Sequence, residues 1–457
     1  MSRQLTTRAQ VSGYRFVLTR AEHALIRRDA RMLADPMRAQ SRALLGGLVV
    51  AVLLLAGAGI YGLVRPAPSV GDATIVAADG GGLFVLVEGT LHPVPNLASA
   101  RLVAGVALPV RSVSTRSMSS YPRGPALGIA GAPAALPGPA DGDRSVWTVC
   151  DDPAAGTAVL AGAPTGAPAP AATGALVRAG ETQWLLYRLD TRSGSRPVRA
   201  RIGADAVAVR RALGLDGVVP RPVSEALLNA FAVQPELAVP PVPGRGGPGP
   251  GRLRDVAVGT VIRSLGVDDA PSYFAVLADG IQPLTPIAAQ ALRGVDTDDA
   301  GAIRQVSPGA LTEVPVVRRL PVDAFPDRVP ELVDTTAVLC WSWSRTGTET
   351  PRETMRTSAH LPLPDGARAV SLSAADGVGP GLDGVYLRPG TGEHLRVPGG
   401  DFYVSDAGVR FRIADAETGR VLGLGAPRAA PWSVLSLLPE GPALAREPAL
   451  VARDLPR

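Results

Sequence analysis

Residues 43–64 read ALLGGLVVAVLLLAGAGIYGLV, a run of 22 residues without a charged side chain. At ~1.5 Å per residue, a helix of that length covers about 33 Å and can cross a hydrocarbon layer ~30 Å thick. Arg42 and Arg65 bracket the run. A cleaved signal peptide has a short basic lead and an apolar stretch of ~7–15 residues. Here the lead is 42 residues long and the apolar stretch is 22. The run therefore reads as a retained transmembrane helix, and it divides the chain into two very unequal parts.

The arginines assign the sides. Residues 1–42 hold nine Arg against Glu22, Asp29 and Asp35, a net of +6, whereas the other 415 residues sum to −1. Positive charge beside a span stays on the cytoplasmic side. The expected arrangement is a single-pass protein of the cell (inner) membrane, with a cytoplasmic N-terminus and an extracytoplasmic or periplasmic bulk beginning at Pro66. The basic balance belongs to the arm, so no nucleic-acid binding by the body is implied.

Within the arm, residues 15–34 contain neither Gly nor Pro. Val11, Leu18, Leu25 and Met32 recur every seven residues, and Arg20, Arg27 and Arg31 share another face. The spacing predicts an amphipathic helix ended by Asp35-Pro36. Leu18, Arg20, Leu25, Arg27, Arg31 and Met32 are its expected docking residues. They face either the anionic inner leaflet, where each Arg adds about 1 kcal/mol, or a partner protein. In the span, Gly47, Ala51, Ala58 and Gly62 are spaced 4, 7 and 4. They form one helical stripe small enough to admit another helix closely.

The chain contains no lysine; all 46 of its Lys+Arg residues are Arg. A phosphate-cradling Gly-Lys-Ser/Thr loop is thereby excluded, as is Schiff-base chemistry. Neither HExxH nor GxSxG is present, and His23, His92, His360 and His394 lie far apart. Residues 296–301 resemble the start of a calcium loop, but Arg304 and Ser307 stand at its ninth and twelfth positions. The glycine-rich stretch 244–251 is broken by Pro and runs into Arg252-Leu253, which reads as a linker. No catalytic residue, metal site or cofactor is expected.

Cys150 and Cys340 both lie beyond the span, each in a strand-like run, SVWTVC and TAVLCWSWS. An even count in an oxidising compartment reads as one disulfide, the alternative being two buried free thiols. Gly and Pro make up 96 of the 457 residues, without a period, and aromatics only 4%. A loop-rich fold with aliphatic cores follows.

The outer part repeats itself. Leu213-Gly214-Leu215 then Pro222-Val223-Ser224 is echoed by Leu422-Gly423-Leu424 then Pro431-Trp432-Ser433, each followed by a Leu-Leu pair. PRGPAL at 122–127 is echoed by PEGPAL at 439–444. Four segments (83–95, 184–200, 273–286 and 385–398) open as a strand, a turn and a Pro-containing strand. The expected architecture is α+β: an N-terminal cytoplasmic helix, one transmembrane helix, and an extracytoplasmic β-rich central domain flanked by four small α+β repeat domains. The expected division is 1–42 arm, 43–64 transmembrane helix, 65–82 linker, 83–133 first repeat and 134–183 first part of the central domain. It continues as 184–237 second repeat, 238–272 linker and central strand, 273–330 third repeat, 331–384 second part of the central domain, 385–450 fourth repeat and 451–457 tail. Stretches around Cys150 and residues 256–265, 338–344 and 360–372 are expected in the central sheet.

The arm sequence 6–16 (TTRAQVSGYRF) and 20–45 (RAEHALIRRDARMLADPMRAQSRALL), followed by a single span, resembles the EccB family. EccB is a membrane core component of the actinobacterial type VII (ESX) secretion system. The two distant cysteines and the PxGPAL elements agree with it. The resemblance implies a structural subunit of the secretion channel, with a Cys150–Cys340 disulfide and a homo-oligomeric outer domain. It also implies EccC-, EccD- and EccE-like membrane partners and a mycosin protease docked outside. Members often carry an ATPase label, so an outer-face nucleotide hydrolase is the alternative, together with a cell-wall-binding anchored module.

Overall fold

The computed structural model describes residues 7–28, 36–64, 70–191, 194–266, 269–294, 303–377 and 379–453. The chain divides into two units, Met1–Ser69 and Val70–Arg457.

The first unit holds two helices. Helix α1 spans Arg8–Arg27 and opens on a capping box, in which Thr7 accepts from the Gln10 N–H and Gln10 accepts from the Thr7 N–H. That box starts the helix well ahead of residue 15. The helix ends at Arg28, which takes a left-handed φ of 54°, and not at Asp35-Pro36. Helix α2 spans Pro36–Val64. It begins seven residues before the apolar run because Pro suits a first helical turn and residues 37–42 lack a helix breaker.

The second unit is built on a six-stranded central sheet. Its spatial order is Arg352–Ser358, Val338–Thr346, Arg144–Asp152, Gly156–Ala161, Gly384–Tyr386 and Val370–Ser371. Period-two alternation sorts the second and third strands of this order. Trp147, Val149, Leu339, Trp341 and Trp343 enter the main core on one face. Cys150, Val338 and Cys340 enter a smaller core on the other, with Ala158 and Leu160.

Four modules of one topology accompany this sheet. Each runs strand, strand, strand, helix, short strand, with the short strand parallel to the first. In the first module the strands are Ile75–Ala78, Leu83–Val87, Thr90–Val94 and Arg111–Val113, with helix Leu97–Ala104. The second uses Thr173–Ala179, Thr182–Thr191, Gly194–Arg201 and Arg221–Pro222, with helix Val207–Ala212. The third uses Val261–Leu265, Pro271–Leu277, Gly280–Leu284 and Arg304–Gln305, with helix Pro286–Arg293. The fourth uses Gly392–Val397, Gly400–Ser405, Arg410–Ile413 and Arg428–Ala429, with helix Ala416–Val421.

These strands revise the expected boundaries. The first three modules each begin one strand before the anticipated opening, at Ile75, Thr173 and Val261. Residues 65–82 are therefore more than a linker. Thr173–Ala179 and Val261–Leu265 belong to modules and not to the central sheet. Conversely, Val385 is a central-sheet residue, and the fourth module starts at Gly392. Of residues 360–372, only Val370 and Ser371 form a strand, while Leu361 and Leu363 cover the cysteine face.

The sequence echoes have separate physical causes. Gly214 and Gly423 adopt φ of +65° and +70° just past helix ends. In both, the glycine N–H bonds back to the carbonyl of Arg211 or Arg420, and the next leucine N–H bonds to that of Arg210 or Gly419. This is a Schellman stop, which favours Gly. The PxGPAL segments run beside the third strand of modules one and four, at Leu91–Arg123 and Arg410–Glu440. There a Cβ on Gly124 would come within 2.3 Å of the His92 ring, and one on Gly441 within 2.3 Å of the Phe411 ring. Only a hydrogen fits beneath each ring.

The modules pair through shared cores. Ile75, Val85 and Leu102 pack in one cluster with Phe411, Leu422 and Leu444, joining modules one and four. Leu185, Val198 and Leu213 pack with Ala275, Ile287 and Leu292, joining modules two and three.

Candidate functional site: anchor helices and a pinned central sheet

In the first unit the described side chains from Gln40 to Tyr61 on α2 are all exposed. Among the described residues this is the one helix long and apolar enough to cross a membrane, with its apolar window at Gln40–Tyr61. Gly47, Ala51 and Ala58 lie on it, exposed; Gly62 belongs to its last turn. A Cβ at Gly47 would meet nothing within 4 Å, so the stripe is open on this chain. On α1, Leu18, Arg20 and Leu25 are exposed, and Leu25 is 83% accessible. Arg27 ends the helix. Arg31 and Met32 lie outside the described residues. Leu18 and Leu25, seven residues apart on one helix, leave an apolar stripe that this unit does not cover.

In the second unit Cys150 and Cys340 stand directly opposite each other on adjacent antiparallel strands. They are joined by a disulfide, with S–S 2.05 Å and Cα–Cα 4.0 Å, and both are fully buried. Two residues along the ladder, the hydroxyls of Thr148 and Ser342 bond to each other at 2.8 Å, also buried. The bond encloses 190 residues of sequence separation, including all of modules two and three.

The opposite face of the sheet receives two helices that the echoes Pro-Val-Ser and Pro-Trp-Ser introduce. They are Glu225–Ala230 and Trp432–Leu435. Leu227, Leu228, Val434, Leu435 and Leu438 enter the main core beside Trp147 and Trp341. The first helix is held by a polar clamp that sequence reading missed. Asp151, next to Cys150, points to the core face. It accepts from the Ser224 N–H at 2.6 Å, from the Ser224 Oγ at 2.7 Å and from the Thr157 Oγ1 at 3.0 Å. Ser224 Oγ in turn caps the helix by accepting from the Leu227 N–H at 3.0 Å. Arg221 donates to the carbonyls of Ala337 and Asp151. Burial pushes the Asp151 carboxyl above its usual range, against the pull of its hydrogen bonds and of Arg221. Burial likewise lowers the Arg221 guanidinium, against the carboxylates of Asp151, Asp152 and Asp334. The signal available in sequence was the alternation itself, which sends Asp151 to the side of Trp147 and Val149.

A cavity of about 540 Å³ lies between the central sheet and the fourth module. Arg345, His394, Tyr403 and Arg428 line it, with the loops at 136–139 and 423–427. Arg428 pairs with Glu393 and donates to the carbonyls of Gly142 and Arg144. Burial holds the His394 imidazole below its usual range, against its bond to the Gly425 carbonyl and the Asp401 carboxylate. Among the described residues no group of three or more His, Cys, Asp or Glu side chains is placed to hold a metal ion.

Comparison with known proteins follows the same outline. Residues 3–456 match the family described as "Type VII secretion system ESX-1, transport TM domain B". The chain is 37% identical over 485 residues to the ESX-3 secretion system ATPase EccB3 of Mycolicibacterium smegmatis, covering 99% of this chain and 92% of that protein. It is 34% identical over 479 residues to the ESX-1 secretion system ATPase EccB1 of Mycobacterium tuberculosis, covering 99% and 96%. Among solved structures it is similar to a chain of an intact ESX-5 inner membrane complex, with TM-score 0.75 at 34% identity over 100% of this chain and 98% of that one. It is also similar to the EccB3 dimer from the ESX-3 core complex, with TM-score 0.72 at 34% identity over 83% and 100%.

Proposed function

The chain belongs to the EccB family of type VII secretion components, and on that premise we propose that it is the single-pass scaffold of an ESX-type inner-membrane secretion complex. The observation that carries the reading is the fully exposed apolar helix α2 joined, in a chain matched from end to end, to an outer unit made of modules and a pinned sheet. The +6 charge of residues 1–42 supports a cytoplasmic arm and an extracytoplasmic outer unit. A reporter fused to the C-terminus should be active outside the cytosol; activity inside would reverse the orientation.

In this reading α1 docks on a cytoplasmic partner or the inner leaflet through Leu18, Arg20, Leu25 and Arg27, continued by Arg31 and Met32. The stripe Gly47, Ala51, Ala58 and Gly62 receives a neighbouring transmembrane helix. EccC-, EccD- and EccE-like membrane proteins, a mycosin protease outside and a second copy of this chain are the proposed partners. The solved inner-membrane complex and dimer of relatives support partners of that kind. Gentle detergent extraction of the tagged protein should recover several other membrane proteins in fixed ratio. Recovery as a free monomer under conditions that keep other membrane complexes intact would refute the scaffold role.

The relatives' names also carry the word ATPase. A lysine-free chain cannot supply the usual phosphate-binding lysine. Nucleotide hydrolysis by this protein would be established by turnover of the purified chain that one acidic substitution abolishes.

A further inference from the structure

We propose that the cavity between the central sheet and the fourth module receives an acidic segment of a partner protein, with the Arg345 guanidinium as the clamp for its carboxylate. The partner class rests on the scaffold reading above. The volume, about 540 Å³, lies within the ~300–1,000 Å³ range of small binding pockets.

Strand geometry places Arg345. Along Val338–Thr346, alternate residues Leu339, Trp341, Trp343 and Arg345 share one face. The first three fill the main core. Arg345 is next in the row and enters the cavity where that core ends. It is half-buried, its Nε is shielded from solvent, and its side chain makes no hydrogen bond or ion pair with any described residue. Its neighbours each make at least one hydrogen bond or ion pair, although His394 Nε2 and Arg428 Nε have no hydrogen-bond partner. Arg428 is held by Glu393 and two carbonyls, Tyr403 Oη donates to the Pro137 carbonyl at 3.2 Å, and His394 Nδ1 bonds the Gly425 carbonyl. The exposed Asp143 also lines the cavity but forms no ion pair with Arg345.

The Arg345 side chain thus leaves its donors open to a ligand entering the cavity. The planar fork of Arg matches a carboxylate side chain with two parallel hydrogen bonds. The rest of the wall, with Leu136, Pro137, Leu424 and Pro427, suits the apolar neighbours of such a side chain.

The test uses the full-length protein in detergent. A fluorescent acetylated Leu-Glu-Leu-Glu peptide is titrated against the wild type and against Arg345→Leu, beside its Leu-Gln-Leu-Gln counterpart and free glutarate as competitor. The acidic peptide should bind the wild type tenfold to a hundredfold more tightly, to order of magnitude, than either the Gln peptide or the variant allows. Equal binding of both peptides, or binding that survives Arg345→Leu, would overturn the proposal. Glutarate binding as tightly as the peptide would overturn the assignment to a protein segment. None of these outcomes bears on recovery of the membrane complex, so the scaffold reading is judged separately.

Discussion

Replacing Ser224 by Ala tests how the second module is fixed to the central sheet. The hydroxyl both caps helix Glu225–Ala230 and donates to buried Asp151. Loss of a serine cap costs about 1 kcal/mol. Loss of a hydrogen bond to a buried charged group costs about 1.5–3 kcal/mol. Together they predict a loss of about 3 kcal/mol. Urea unfolding of residues 70–457, followed by tryptophan fluorescence, reads this core directly, since Trp147, Trp341 and Trp343 are part of it and Trp184 packs against it. The companion variant Asp151→Asn should be coupled to Ser224→Ala, the double variant costing less than the sum by ~1 kcal/mol or more. The pH dependence has a definite sign. Burial raises the folded-state carboxyl of Asp151 above its unfolded value. Its folded form therefore keeps a proton that the unfolded chain has released, and stability falls as pH rises from the ordinary carboxylate range to that raised value. The cost of Asp151→Asn should accordingly shrink as pH rises through that window. A Ser224→Ala loss below ~1 kcal/mol, strict additivity, or an Asp151→Asn cost that grows with pH would refute the clamp.

Other outcomes follow from the same geometry. Converting Cys150 and Cys340 to Ser should destabilise the outer unit by about 5 kcal/mol if chain entropy dominates, given a sequence separation of 190; identical urea midpoints would show that the bond is not formed. Gly441→Ala and Gly124→Ala should each cost about 1–3 kcal/mol, because each new methyl meets a ring, whereas Gly138→Ala, with nothing within 4 Å, should be near neutral; thermal melts of the three variants decide it. Gly47→Leu should leave the outer unit's melting unchanged yet reduce co-purification of membrane partners, and undiminished recovery would remove the small-residue stripe from assembly.

Much of the plan was visible in the sequence because it is written in strong local signals. The uncharged run at 43–64 needs no tertiary context. The Leu-Gly-Leu and PxGPAL echoes were visible as repetition, and the structure supplies their causes, a left-handed helix stop and a strand passing under a ring. What escaped was that three modules open one strand earlier, Val261–Leu265 having been expected in the central sheet. Ile75–Ala78, Thr173–Ala179 and Val261–Leu265 follow stretches rich in Pro, Gly and Ala, and two of them are only four or five residues long. Their place in the modules comes from pairing with partners on both sides, which composition does not reveal. Asp151 and Arg345 escaped for a related reason. One polar residue in an apolar strand declares itself only when register shows which face it joins.

The pairing of modules has a bearing on how such a chain can mature. The core begun by Ile75 and Val85 is completed by Phe411, Leu422 and Leu444, so the earliest segment of the second unit waits for nearly the last. The strand carrying Cys150 likewise waits for residues 338–346 before its thiol can meet its mate. Modules two and three, close in sequence and sharing their own core, need no such delay. For a polypeptide emerging N-terminus first, assembly proceeds from the middle outward, and losing the final segment would leave the opening module with an uncovered aliphatic surface.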